Sequence, residues 1–371
     1  MSGRILIAGL TAAMLTLGSG CGGSTAPQTD TTSTAAPGQQ YRWKMVTAWP
    51  KNFPGLGSGA EFLAATLEEL SGGRLHVKVY GAGELVGAFE VFDAVSQGTA
   101  ELGHSGAYYW KGKIEAAPFF STIPFGLNAQ EMNAWLYFGG GLELWREAYA
   151  PFNIIPFPAG NTGVQMGGWF NREINSAADL RGLKIRMPGL GGEVLARAGA
   201  TVVNLPGGEI FTALQQGTID ATEWVGPYND LAFGLHQAAR YYYYPGWHEP
   251  GPNIELLVNT DAFNGLPDDL QAVIEESCKI ANLQMLSEFT ARNHEALRTL
   301  VDEHHVELRR FPDDVMAILR DHTRRVLQEQ AERDPFSAKV YGSYSAFRDE
   351  VVPWHDISLR AYLNARARAG E

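Results

Sequence analysis

The stretch Leu183-Lys184-Ile185-Arg186 alternates apolar and basic residues like a short strand. Gly182 suits the turn before it, and Pro188 after it has no N–H to donate to a sheet ladder. The strand therefore stops at Arg186. In layered α/β folds the crevice outside the carboxyl ends of strands is where ligands collect. A guanidinium there offers a planar fork that grips a carboxylate through two parallel hydrogen bonds, which a lysine ammonium does not. An arginine at a strand end is also commonly just an exposed ion-pair partner, so the rest of the chain has to decide between the two readings.

With 371 residues, 45% of them hydrophobic and 19% charged, the chain is long enough for two domains with real cores. A formal net charge of -12 with no basic stripe argues against a nucleic-acid or anionic-membrane surface. Residues 1–20 carry Arg4, the apolar run Ile5–Leu17 and then small residues, which is the pattern of a secretory signal peptide; the run is too short to span a bilayer. Cys21-Gly22-Gly23 resembles the lipidation site of bacterial lipoproteins, except that Leu17 lies one place too far upstream and Gly18 takes its position. Ordinary secretion is the alternative. Residues 21–40, rich in Ser, Thr, Ala, Pro and Gln, read as a flexible tether. The chain has two cysteines, Cys21 and Cys278, so a structural disulfide is not expected. Cys278 shares a helical stripe with Leu270, Val273, Ile274 and Ala281 and reads as a small core residue.

From residue 41 to about 260 short strands alternate with short helices, the mark of α/β units. Strands are expected over 41–50, 75–80, 154–157, 201–204 and 219–222, and over the tyrosine run from Tyr241. Helices are expected over 59–71, 88–97, 191–199 and 207–216, with a helical region over 129–149. Gly55-Leu-Gly57-Ser-Gly59 lacks the spacing and acidic partner of a dinucleotide fingerprint and reads as a loop. Ala94-Val-Ser-Gln-Gly98-Thr and Ala213-Leu-Gln-Gln-Gly217-Thr repeat one pattern, a helix closed by Gly before a strand, as two similar lobes would leave. Beyond Leu266 the chain turns helical, over about 267–305, 312–332 and 336–366, with Pro353 expected to kink the last helix. The organisation expected is a first lobe mainly of 41–160, a second mainly of 161–260 with strands crossing between them, and a helical region, 261–371, bracing both.

Four strand-end elements then collect: Tyr108 and Tyr109, Gln165 with Arg186, Glu223 with Trp224, and Glu249. Two carboxylates beside an amide oxygen suit a hard cation, which takes oxygen ligands. Each Glu taken singly could equally be a solvated surface residue. Enzyme motifs are missing: His248-Glu249 is followed by Pro-Gly-Pro rather than a second histidine at metalloprotease spacing, and no Gly-x-Ser-x-Gly elbow or phosphate loop occurs. Glu223 and Glu249 could still form an acid–base pair, which leaves a secreted enzyme acting on a small oxo acid as an alternative.

Ala178-Asp-Leu-Arg-Gly-Leu-Lys-Ile-Arg-Met-Pro188, Ala213-Leu-Gln-Gln-Gly-Thr-Ile-Asp-Ala-Thr-Glu-Trp224 and Gly246-Trp-His-Glu249 resemble the solute receptors of the tripartite ATP-independent periplasmic (TRAP) transporters, over about residues 41 to 365. The branch most similar binds 2-oxo and 2-hydroxy monocarboxylates with a cation. The resemblance implies a two-lobed periplasmic binding protein that closes about a hinge, with a helical C-terminal extension, exported to the periplasm and delivering a small organic acid to membrane permease subunits. It assigns Arg186 to the ligand carboxylate, Tyr109 and Asn161 to its other polar contacts, and Gln165, Glu223, the Trp224 carbonyl and Glu249 to Na⁺ or Ca²⁺; Gln165 and Trp224 thus face both ligand and ion. It further implies a homodimer through an exchanged C-terminal helix. A receptor presenting its ligand to a sensor kinase is the remaining alternative.

Overall fold

The computed structural model describes residues 38–368; the signal segment, Cys21 and most of the tether lie outside the described residues. Among the described residues eleven strands form two mixed sheets. The first has the order β2-β1-β3-β10-β4, from β1 (Tyr41–Thr47), β2 (Leu75–Tyr80), β3 (Leu102–Ser105), β4 (Ile154–Asn161) and β10 (Asn253–Asn259). The second has the order β11-β9-β5-β8-β6-β7, from β5 (Gly168–Phe170), β6 (Lys184–Arg186), β7 (Thr201–Val203), β8 (Ala221–Thr222), β9 (Tyr241–Tyr244) and β11 (Glu307–Arg310). Strands β1, β2 and β3 run parallel to one another, whereas β10 runs antiparallel to both β3 and β4.

The chain therefore crosses from the first sheet to the second after β4, and returns after β9. Strand β10 was not anticipated from the sequence, and although it falls within 161–260 it belongs to the first sheet. It is buried along its whole length and so lacks the alternation that marks a half-exposed strand. The short edge strand β11 was missed too, because its sequence, Glu-Leu-Arg-Arg, is mostly charged.

The repeated Gln-Gly-Thr pattern proves to be one local structure used twice. Helices Val91–Ser96 and Gly207–Gln215 both end near a left-handed glycine, Gly98 at φ +73° and Gly217 at φ +71°. In each, the following Thr N–H reaches back to an alanine carbonyl at 2.8 and 3.0 Å, a 6→1 helix closure, before the chain enters β3 or β8.

Helix Asp268–Arg298 spans both halves. Its first turns bury Leu270, Ile274, Cys278 and Ala281 against the first sheet. Further along, Met285 and Phe289 join the larger core, where Phe289 meets the Tyr228 ring edge-on. Cys278 is a core residue as expected, and burial pushes its thiol pKa up. The glycines of 55–59 admit this helix: a Cβ on Gly59 would lie 2.6 Å from the Met285 methyl, and one on Gly55 2.6 Å from the Phe289 ring.

Three helical stretches are more broken than their periodicity suggests. The region 129–149 is two helices, Ala129–Phe138 and Gly141–Tyr149, separated at left-handed Gly140. The long helix ends in a wide turn at Thr299–Glu303. Pro353, which can neither donate nor tolerate the preceding carbonyl, is followed by a wide turn, Asp356–Arg360, before Ala361–Arg368. Among the described residues no helix is long and apolar enough to cross a membrane.

Candidate functional site

Arg186 ends β6 as expected, with Gly182 in a left-handed turn before it and Pro188 capping the next helix, Gly189–Arg197. It is 1% exposed, so the surface ion-pair reading does not apply. Its Nη1 donates to the Glu223 side chain and, at 3.1 Å, to the Glu223 carbonyl; Nε donates to the Leu205 carbonyl at 3.2 Å. The Tyr109 hydroxyl lies 3.5 Å from Nη2, and the guanidinium sits 5.3 Å from the centre of the Trp224 ring. Burial works against the charge on Arg186, but Glu223, Tyr109, Tyr108 and Glu249 together raise its pKa above the usual value.

The two segments that cross between the sheets bring up the other groups. Gln165 lies on the first crossing, between β4 and β5, and His248 and Glu249 on the second, between β9 and β10. The crossings touch: Gln165 N–H donates to the Glu249 carbonyl at 3.2 Å. Gly246 permits this approach, because a Cβ there would sit 2.1 Å from the Gln165 carbonyl oxygen.

Glu223, His248 and Glu249 are all buried, and one ligand atom from each lies within 4.8 Å of the others. Glu223 has its side-chain oxygens occupied, one by Arg186 and the other 3.3 Å from His248 Nε2. By contrast, the Glu249 Oε2 and Gln165 Oε1 oxygens are buried without a hydrogen-bond partner. Burial raises the Glu249 pKa well above the carboxylate range, and Glu223 raises it further, against the pull of Arg186 and Gln165. Buried acceptors without donors are costly, and an oxygen-seeking cation removes that cost. The donor set thus fits Na⁺ or Ca²⁺.

Beside these groups lies a narrow recess of about 10 Å³. Tyr108, Tyr109, Thr162, Gln165, Arg186 and Trp224 line its polar side, and Trp49, Leu56, Val225 and Ile254 the rest. That is room for about one water molecule, far below the roughly 300–1,000 Å³ typical of pockets for drug-sized ligands.

The structure thus brings Arg186, Gln165, Tyr109, Glu223, Trp224 and Glu249 together. Asn161 is buried nearby, but both ends of its amide are engaged with backbone, Nδ2 on the Gly251 carbonyl at 3.1 Å and Oδ1 on the Gly163 N–H at 2.8 Å; its neighbour Thr162 lines the recess instead. His248 was missed as a member of the site. In sequence it invited comparison only with zinc-protease spacing, although its place beside Glu249 was a usable signal.

The family model for bacterial extracellular solute-binding proteins, family 7 (DctP), matches residues 45–334. The monocarboxylate 2-oxoacid-binding periplasmic protein of Nostoc sp. (strain PCC 7120) is 46% identical over 337 residues, covering 91% of this chain and 92% of that protein. A TRAP periplasmic solute-binding protein from Pseudoalteromonas atlantica T6c, solved with bound sodium and pyruvate, is 44% identical with a TM-score of 0.86, over 88% of this chain and 99% of that one. Its counterpart from Colwellia psychrerythraea, solved with calcium and pyruvate, is 43% identical with a TM-score of 0.86, over 88% and 100%. These relatives are solute-binding receptors rather than enzymes. The chain belongs to family 7 of the bacterial extracellular solute-binding proteins, the DctP-type receptors of TRAP transporters.

Proposed function

We propose that this receptor binds a small 2-oxo or 2-hydroxy monocarboxylate of the pyruvate type, together with Na⁺ or Ca²⁺, and delivers it to a membrane permease. The observation that carries the proposal is the pairing of a fully buried guanidinium with two buried, unpartnered oxygens across a small recess. A 2-oxo acid offers one carboxylate for Arg186 and a second oxygen for a cation. A bound cation supplies charge neutralisation for Glu223 and Glu249 and a Lewis-acidic contact for that second oxygen.

The protein's own groups do the rest. Arg186 turns from Glu223 toward the ligand carboxylate, held in plane by the Leu205 and Glu223 carbonyls, while Tyr109 and Thr162 supply hydroxyls at the recess. Glu223, Gln165, Glu249 and the Trp224 carbonyl would hold the ion. Because Gln165 and Glu249 sit on the two crossing segments, filling the site also ties the hinge together. Closure is favourable only when the buried charges are paired.

The same reading includes binding without turnover, in keeping with the solute-binding family and relatives. It also includes a homodimer through the last helix, which exposes Trp354, Ile357 and Tyr362, and a lipid anchor at Cys21. Thermal unfolding of the purified protein against C2 to C8 2-oxo acids, 2-hydroxy acids, dicarboxylates and sugar acids, with and without Na⁺ and Ca²⁺, tests the central proposal. A cation-dependent rise in Tm for a monocarboxylate supports it, because a ligand that binds only the native state stabilises by mass action. A rise confined to dicarboxylates or sugar acids overturns the cation site, and silence across the panel overturns the whole. Recovering the bound acid unchanged after incubation checks the absence of turnover.

A further inference from the structure

The two sheets contribute unlike chemistry to the recess. Arg186, at a strand end of the second sheet, and Gln165, on the first crossing, line it with polar groups, the Glu223 side chain hydrogen-bonded to Arg186 and the Glu249 carbonyl to the Gln165 N–H. Trp49 follows β1, Leu56 precedes helix Gly57–Leu70, and Ile254 lies in β10, so the first-sheet half supplies most of the apolar lining. Trp49 meets the rings of Tyr109 and Trp224, with centroids 6.3 and 6.2 Å away. Those two side chains are the ones that flank the Arg186 guanidinium. Trp49 thus packs against both rings that flank Arg186 and lies on the apolar side of the recess.

This tryptophan is fixed from several sides. Its Nε1–H donates to His104 Nδ1 at 2.8 Å, and the His104 ring stands edge-on to it. Its carbonyl accepts from the Thr47 hydroxyl and from the Ala82 N–H, each at 2.8 Å. The preceding Ala48 N–H is held by the His104 carbonyl at 3.0 Å. His104 is itself fully buried in β3, and burial lowers its pKa to about 4, so Nδ1 stays available to accept the indole proton at neutral pH.

We propose that Trp49, locked by His104, is the specificity-determining residue that limits the carbon-chain length of the acid, admitting C3 and C4 2-oxo acids and rejecting longer ones. The inference rests on the monocarboxylate reading above. Its physical basis is that a rigid apolar wall discriminates against each surplus methylene, whereas a mobile one yields. His104 acts on the ligand only through Trp49 and is a positioning residue.

Calorimetric titration with pyruvate, 2-oxobutyrate, 2-oxovalerate and 2-oxohexanoate in a fixed calcium concentration tests this, for the wild-type chain, Trp49→Ala, Trp49→Phe and His104→Leu. In the wild type, affinity is expected to fall about tenfold or more for each methylene beyond C4, the discrimination such a wall makes. Trp49→Ala is expected to shift the optimum to C5 or C6. Trp49→Phe, which keeps an aromatic wall but loses the indole N–H, and His104→Leu are expected to flatten the length profile. Both should leave calcium dependence intact, which a general disruption of the site would not. A wild-type profile flat from C3 to C6, or length ratios unchanged in both Trp49→Phe and His104→Leu, overturns the inference. If no 2-oxo acid of any length binds, the failure belongs to the monocarboxylate reading instead.

Discussion

Glu249 and Glu255 lie close together in sequence, both deeply buried, yet they serve opposite ends. The Glu255 carboxyl accepts from Trp110 Nε1 and, at 3.0 Å, from the Tyr149 hydroxyl, so each oxygen has a donor. Burial raises its pKa to about 8, and the acid rests in the core largely protonated at neutral pH. Asp230 is similar, with Trp169, Tyr242 and the Val225 N–H as donors and a pKa raised by burial to about 7. Glu249 instead keeps an oxygen with no donor, beside a second orphaned oxygen on Gln165 and opposite a buried arginine. Burial by itself therefore does not mark a binding carboxylate. An unmet acceptor clustered with a second orphaned oxygen and a buried arginine does, because that free energy deficit is recovered only when something arrives.

The comparison can be broken most sharply at Arg186. Arg186→Ala should weaken pyruvate binding by at least about a hundredfold, as expected when one partner of a buried charge pair is removed at about 3–5 kcal/mol. Glu255→Gln should leave the same titration within about twofold. Comparable losses in the two variants would erase the distinction between structural and binding acids.

Glu249→Gln comes next. It removes a cation ligand and should cut the calcium dependence of pyruvate binding to about threefold or less, where the wild type is expected to change tenfold or more. Full calcium dependence in this variant would move the ion elsewhere.

The third effect lies in stability. A carboxyl whose folded pKa is near 8 and unfolded value near 4.5 contributes stability that is complete below about pH 4.5 and is lost as pH rises through 8. Tm measured from pH 5 to pH 9 should therefore decline more steeply in the wild type than in Glu255→Gln. Parallel curves would show that Glu255 is not held protonated. Smallest of all, Cys278→Ala removes one buried sulfur far from the recess and should cost only about 1 kcal/mol, with pyruvate affinity unchanged.

Much of the local structure was legible in the sequence because its signals are local. The repeated helix closure at Gly98 and Gly217 follows from a residue that alone enters the left-handed region easily. The end of β6 at Arg186 follows from Gly182 and Pro188, and the burial of Cys278 from a helical stripe. The six site residues other than Asn161 were picked out by residue type at strand ends and by the family's motifs, and they do converge. What escaped is fixed mainly by contacts remote along the chain. Strand β10 is buried on both faces, its polar Asn253, Glu255 and Asn259 included, so its burial follows no alternation, and its place in the first sheet depends on a return crossing. His248 has no ligand spacing of its own and acquires its role only when β8 and the second crossing bring it to Glu223.

The sequence by itself determined the alternating α/β organisation, the helix-rich C-terminal region, and the residue types able to hold an acid and a hard cation, since these depend on composition, short-range backbone preference and side-chain chemistry. Only the tertiary structure decided that Gln165 and Glu249 meet on the two crossings, that Arg186 is sealed from water, and that a fixed Trp49 walls the recess. Those facts are distances between segments remote along the chain, and they follow from sheet order and packing, which no local pattern encodes.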